Sequence, residues 1–264
     1  MRILITNDDG ISAPGLEVLH QIATDLAGPE GEVWTVAPAF EQSGVAHAIS
    51  YTRPLMVSEI SPRRWAAEGT PADCVLAALG HILPGPPDLV LSGVNRGNNA
   101  GENAVYSGTL GAAMEAAIHG CRAVALSQFY GPDNRSLPDP FEAARVHGAR
   151  VIERLLAEPD WTADTGYTTF YNVNFPPCPA DAVAGVAACA QGLRPTSRFG
   201  VEAAVAPNGR QFLWVRGGRQ DEPSAPGTDV ALNLENRVTV TPMRADLTAP
   251  EAIDRLTRRL TEMP

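Results

Sequence analysis

Along this chain, short unbroken apolar runs alternate with longer stretches in which apolar residues recur every three or four positions. The runs are Ile3-Leu4-Ile5, Glu32 to Pro38, Leu89-Val90-Leu91, Ala123 to Ser127 and Thr168 to Pro176. Bounded by turn residues, such runs read as strands of a parallel sheet covered on both faces. The stretches between them carry helical spacing: Leu16, Leu19, Ile22 and Leu26; Cys74, Val75, Leu76 and Leu79; the Ala/Leu/Met-rich segment ending at Ile118; and Pro140 to Leu156. Thr70 before Pro71 supplies an N-cap with proline at the first helical position, and Asp73 fits the first turn of that helix. Gly28-Pro29 stops the first helix. Strand, helix and strand in this order assemble as right-handed crossovers.

Two regions depart from that alternation. Ala46 to Pro62, with the alternation His47 to Ser58, suggests one or two short strands, in an antiparallel arrangement. Beyond Pro176-Pro177 the helical periodicity lapses, and Phe199 to Val205 and Arg210 to Val215 flank Pro207-Asn208-Gly209, a hairpin signal. Asp229 to Met243 reads as a returning strand with Arg237 to Pro242 at its centre, and Ala249 to Leu260 as a final amphipathic helix. The expected architecture is α/β: a Rossmann-like three-layer sandwich with a mostly parallel sheet, plus a C-terminal β-hairpin extension. We divide it into a core at 1–178, a protruding hairpin unit at 179–228 that serves self-association, and a returning strand and helix at 229–264.

Composition narrows the functional classes. The 264 residues are 44% hydrophobic and 19% charged, an ordinary folded balance for one large domain. A net charge of −10 argues against a nucleic-acid polymer as partner, although backbone amides and a metal can still hold a small phosphorylated molecule. Cys74, Cys121, Cys178 and Cys189 form no C-x-x-C pair, which favours buried reduced thiols over a disulfide framework or a zinc site. No apolar run approaches the roughly 20 residues that cross a bilayer, so no membrane partner is expected. The first strand begins at the second residue, leaving no leader, and a cytoplasmic location is expected.

The candidate chemistry gathers at strand ends. Thr6-Asn7-Asp8-Asp9-Gly10 follows the first strand, and ligands of open α/β sheets sit outside the carboxyl ends of the strands. Two adjacent carboxylates repel and ionise together only with a cation or strong donors between them. Oxygen ligands favour Mg²⁺ or Mn²⁺. The plainer alternative is a turn in which one aspartate caps the next helix. Ser43, after the second strand, could approach the pair, although a serine there is commonly a turn residue. Asn95, past the Leu89–Ser92 strand in a Gly/Asn-rich loop, offers an amide oxygen. Ser107-Gly108-Thr109 opens a helix and fits either a phosphate seat or an ordinary cap. His47 lies near this group, and its position alone assigns it no role.

In order along the chain, Ile5 to Gly15, Ala37-Pro38 with Gln42-Ser43-Gly44, Gly69 to Cys74, Ser92 to Gly97, Tyr106 to Thr109, Asn172 to Pro176 and Val240 to Pro242 resemble the SurE family of survival-protein nucleotidases. The resemblance implies a metal site built by Asp8, Asp9, Ser43 and Asn95, with Asp8 and Asp9 the catalytic carboxylates. It implies phosphate contacts from Ser107, Gly108 and Thr109, with Asn99 a further candidate. It also implies one Mg²⁺ or Mn²⁺ per subunit, and a homodimer or homotetramer that exchanges its C-terminal elements. The expected activity is metal-dependent hydrolysis of nucleoside 5′- and 3′-monophosphates, a 5′-nucleotidase or acid-phosphatase type of reaction. Adjacent aspartates favour water over a carboxylate as attacker, because aspartyl-phosphate enzymes space theirs by one residue. The alternative is a nucleotide-binding or regulatory protein of the same fold without turnover. A dinucleotide site is disfavoured, since Asn-Asp-Asp-Gly stands where G-x-G-x-x-G would.

Overall fold

The computed structural model describes residues 1–162, 166–196 and 198–261. The chain runs β1 (Arg2–Thr6), α1 (Pro14–Ala27), β2 (Glu32–Pro38), β3 (Val57–Ser61), β4 (Arg64–Ala67), α2 (Pro71–Ala77), β5 (Leu89–Arg96), α3 (Gly108–Ile118), β6 (Ala123–Gln128), α4 (Pro132–Arg135), α5 (Glu142–Leu156) and β7 (Phe170–Phe175). It ends with β8 (Val186–Ala188), β9 (Gly200–Val205), β10 (Gln211–Arg216), α6 (Asp229–Leu234), β11 (Val238–Met243) and α7 (Pro250–Thr261).

Nine strands form one sheet in the order β3-β4-β2-β1-β5-β6-β7-β11-β8, and β9 pairs with β10 apart from it. The central pairings are parallel; β3 with β4 and β7 with β11 are antiparallel. Side chains alternate between the faces of a strand, and β1 shows the consequence. Ile3 and Ile5 pack with Leu16, Leu19 and Ile22 of α1 and Ile152 of α5. Leu4 packs with Cys74 and Val75 of α2 and Ala112 and Ala116 of α3. All three β1 residues are fully buried, which is why this strand reads as an unbroken apolar run. The result is the expected three-layer α/β sandwich. From β1 the chain passes outward to β2 and β4, then returns to lay β5 on β1's other side. The sheet's switch point therefore lies between the carboxyl ends of β1 and β5.

The sequence expectations miss in three places. Residues 47–56 form no strand: Ala46 has a positive φ of 52°, and the segment packs over α3, so strand pairing begins only at Val57. Gly111 accommodates that packing, because a Cβ there would collide with the Ala46 carbonyl. Residues 229–234 are helical rather than extended, capped by the Thr228 hydroxyl, which accepts from the Ala231 amide; the returning strand starts at Val238. β5 continues past Ser92 to Arg96 with a register shift, and its Gly93–Val94 peptide is cis. The sheet also runs on past residue 178, since β8 and β11 complete it. Thr70 caps α2 as expected with Asp73 in its first turn, and the two side chains bond each other's backbone amides in a reciprocal cap. The four cysteines are free, Cys74 and Cys178 buried, Cys121 and Cys189 half-buried.

Candidate functional site

The turn after β1 is held by Asn7. Its side-chain amide donates to the Gly10 carbonyl at 2.9 Å, and its oxygen accepts from the Gly10 amide at 3.2 Å. Gly10 has φ +101°, a conformation a side chain would strain. The N-cap of α1 is Ala13, with no side-chain bond. Neither aspartate is therefore used as a cap, and the turn reading accounts for Asn7 and Gly10 but not for Asp8 and Asp9.

Asp8 is buried against the start of α3. Its Oδ1 accepts from the Thr109 hydroxyl at 2.7 Å and its Oδ2 from the Thr109 amide at 3.2 Å. Gly108 permits this approach, because a Cβ there would lie 3.0 Å from the Asp8 Cβ. Burial drives the Asp8 carboxyl up to about 6; the Thr109 hydrogen bond opposes that rise and the neighbouring Asp9 charge adds to it. Asp9 accepts from the Arg96 amide at 3.1 Å. Burial raises its carboxyl too, opposed by Arg96 and reinforced by Glu41. Ser43 is exposed and donates to Glu41 at 2.7 Å, leaving its oxygen lone pairs free. The Asn95 amide nitrogen donates to the Gly97 carbonyl at 2.9 Å, so its Oδ1 remains to accept or ligate.

Asp8, Asp9, Ser43, Asn95, Asn99 and Ser107 border one cavity of about 190 Å³ at the switch point. The Ser107 hydroxyl caps α3 by accepting from the Leu110 amide at 3.2 Å, so the cap reading holds for that group. Both Thr109 donors are engaged with Asp8. Asn99 is built into a buried polar ladder: it donates to Ser127 at 2.8 Å, its amide donates to Asn174 at 2.7 Å, and its carbonyl accepts from Asn172 at 2.9 Å. His47 lies outside the cavity lining and pairs with Glu115 at 2.5 Å, which in turn meets His119 at 3.1 Å.

Several lining residues were not expected from the sequence. Glu41 and Arg96 sit beside Asp9, and Tyr106, Phe199 and Gln220 form the outer wall. Asn98 is buried, and its Oδ1 has no hydrogen-bond partner. That oxygen is shut off from solvent, so Asn98 borders the cavity without presenting this atom to it. The Asn-rich run after β5 carried the signal for Asn98; Phe199 and Gln220 are too distant in sequence to carry any. For a hard cation the donor set fits: two carboxylates whose proton affinity is raised by burial and mutual repulsion, a hydroxyl oxygen and an amide oxygen. Among the described residues, no cluster of three or more His, Cys, Asp or Glu is placed to hold a metal, so the two aspartates depend on neutral donors.

Fold and site together define a doubly wound α/β protein with a carboxylate-lined pocket at its switch point. A family model described as "Survival protein SurE" matches residues 3–198, and the chain belongs to the SurE family. It is 63% identical over 257 residues to a protein named 5′-nucleotidase SurE from Cereibacter sphaeroides, covering 97% of this chain and 98% of that one. A protein of the same name from Roseobacter denitrificans is 63% identical over 251 residues, covering 94% and 95%. The crystal structure of the SurE protein from Aquifex aeolicus superposes with a TM-score of 0.79 at 34% identity, covering 98% of this chain and 99% of the other.

Proposed function

We propose that this protein is a nucleotidase, a metal-dependent phosphomonoesterase that hydrolyses nucleoside 5′- and 3′-monophosphates. The observation that carries the reading is the meeting of Asp8, Asp9, Ser43 and Asn95 around one small cavity at the β1/β5 switch point, beside the start of α3. The names of the relatives support the substrate class. Asp8, Asp9, Ser43 and Asn95 would hold one Mg²⁺ or Mn²⁺, which when bound supplies charge neutralisation and Lewis acidity at the phosphate.

The chain's own residues account for the remaining requirements. The Ser107-Gly108-Thr109 turn brings the positive end of α3 to the phosphate. Thr109 positions Asp8 through two hydrogen bonds, so this carboxylate faces the cavity in one orientation. Asp9, tied to the Arg96 amide by one oxygen, keeps the other to orient an attacking water.

The carboxylates, Ser43, Asn95 and the Ser107 turn all lie in the core at 1–178; of the elements in 179–228 and 229–264, β8 and β11 complete the sheet, and we assign association into a homodimer or homotetramer by exchange to the hairpin and α7. The support is the apolar exposure of the hairpin and of α7, whose described residues include none that is buried. Among the described residues no helix is long and apolar enough to cross a membrane. The test is phosphate release from a panel of nucleoside 5′- and 3′-monophosphates, with EDTA and with Mg²⁺ or Mn²⁺ restored. Release that stops with chelator and returns with metal is expected. No release from folded protein under any metal would leave a binding or regulatory role.

A further inference from the structure

The phosphate cavity is too small for a whole nucleotide. At about 190 Å³ it falls below the roughly 300–1,000 Å³ of small-molecule pockets. A second cavity of about 600 Å³ opens on the other side of Asp9, between the start of α1 and residues 130–141. The two share Asp9, Glu41 and Arg96, so they meet at the carboxylate pair.

Their walls differ in chemistry. Ile11, Val18, Phe40, Tyr130 and Phe141 give the larger cavity apolar and aromatic surface. Tyr130 and Phe141 stack edge to face with centroids 5.5 Å apart and make a rigid wall. Phe40, directly after β2, is 70% exposed, so its ring face is open to a planar group. At the rim, Arg145 is held by Asp139 at 2.7 Å and by Gln21 at 2.7 Å, which fixes polar groups around an apolar interior. An uncharged aromatic molecule fits this lining, and its link to the phosphate cavity fixes which end of the substrate it receives. The opposite wall of the phosphate cavity also carries aromatics, but Tyr106 and Phe199 pack on each other at 4.7 Å.

We propose that the cleft between α1 and the 130–141 segment is the nucleoside pocket, in which the base stacks on Phe40 while the phosphate lies across Asp9 in the smaller cavity. This rests on the phosphomonoesterase reading above. It assigns base selection to Ile11–Gly15, Val18, Phe40, Tyr130 and Pro138–Phe141, none of which holds the metal or the phosphate.

The experiment is steady-state hydrolysis of AMP by Phe40→Ala and by Ser12→Trp, with inorganic phosphate as a competing inhibitor. Ser12 is exposed and lines the cleft, so an indole there fills the space without entering the core. Losing a base–aromatic stack changes binding by about tenfold, and the KM for AMP is expected to rise by that factor in both variants. Inhibition by inorganic phosphate should be unchanged. An unchanged KM in Ser12→Trp, or phosphate inhibition that weakens in parallel, overturns the proposal. So does a KM that responds to Tyr106→Ala instead, which would put the base on the opposite wall. Should the wild type release no phosphate, the functional reading fails separately. Equilibrium dialysis with adenosine then decides the cleft: retention by the wild type and loss in Ser12→Trp uphold it, and no retention overturns it.

Discussion

At the ends of β1 and β5, polar side chains are buried and most are partnered within the chain, while Thr6, Ser92 and Asn98 each keep a buried oxygen without a hydrogen bond. Asp8 takes both Thr109 donors, Asn7 closes its own turn, and Asn99, Ser127, Asn172 and Asn174 bond one another. In the β9–β10 hairpin the situation is inverted. Val201, Val205, Phe212, Leu213, Trp214 and Val215 all face solvent, and α7 buries none of its residues while keeping Ile253, Leu256 and Leu260 in helical register. One region holds costly polar groups inside and satisfies most of them; the other holds apolar groups outside and leaves them exposed. An internal polar network fixes geometry, as a reaction site requires. Uncovered apolar surface of this extent is the kind that contacts between chains cover, which supports the proposed self-association. The two regions touch where Phe199 and Gln220, at the base of the hairpin, wall the phosphate cavity.

The sharpest way to break the comparison is to remove the charge that the polar region is built to hold. Asp8→Asn keeps the shape of the side chain and both neighbours, and is expected to lower phosphate release by about a thousandfold or more, the scale of losing a preorganised electrostatic group. Circular dichroism should remain native. Full activity in a folded Asp8→Asn protein would show that the buried carboxylate is structural. A smaller effect is expected from Thr109→Val, which removes the 2.7 Å hydroxyl bond but leaves the backbone amide. Loss of a group that orients a ligand side chain costs about 10–100-fold, so kcat should fall within that range and metal affinity with it.

Both regions were legible in the sequence, to different depths. The strand ends could be found because apolar runs stop abruptly at Asn7-Asp8-Asp9 and before Asn95, and local pattern determines both. What each polar group bonds to could not be found. Thr109 is 101 residues from Asp8, and nothing at either position encodes that pairing. Asn99 illustrates the limit: its place in a Gly/Asn loop suggests a ligand and it does border the cavity, but nothing there encodes that burial beside β6 and β7 also commits its side-chain nitrogen to Ser127. The hairpin was readable from Asn208-Gly209 between alternating runs. Residues 47–56 were misread because alternation over so few positions does not separate a strand from a loop that packs over a helix, and residues 229–234 because the Thr228 cap starts a helix too short to show a period.

The Asp8 carboxyl also ties the polar region to pH. Its folded value of about 6 stands above the ordinary value of 3.8, so between those limits the metal-free folded state binds more protons than the unfolded state. Stability therefore falls as pH rises from about 4 to about 6 and levels off above, a loss of about 3 kcal/mol from this group alone. Denaturant unfolding in EDTA should show that slope in the wild type and not in Asp8→Asn, where the group no longer ionises. A wild type with no such slope would mean that water or a residual cation reaches Asp8. Divalent metal should remove the slope by binding the ionised form, and its own affinity should weaken below about pH 6.

The smallest expected effect on the fold tests the other half. Trp214→Glu and Phe212→Glu change residues more than half exposed on a hairpin that pairs only with itself. Surface substitutions of this kind move stability by no more than about 0.5 kcal/mol, so unfolding of the core should be nearly unaltered. Charge on an apolar surface that a second copy covers is far more disruptive, because the carboxylate would lose water without gaining a partner. Sedimentation should then report a lower mass for the double variant than for the wild type, with secondary structure intact. If mass and stability are both unchanged, the hairpin is not the contact between copies, and its exposed face needs another partner. If mass falls and activity falls with it, the base of the hairpin transmits assembly to the cavity through Phe199 and Gln220, and the two regions are one device rather than two.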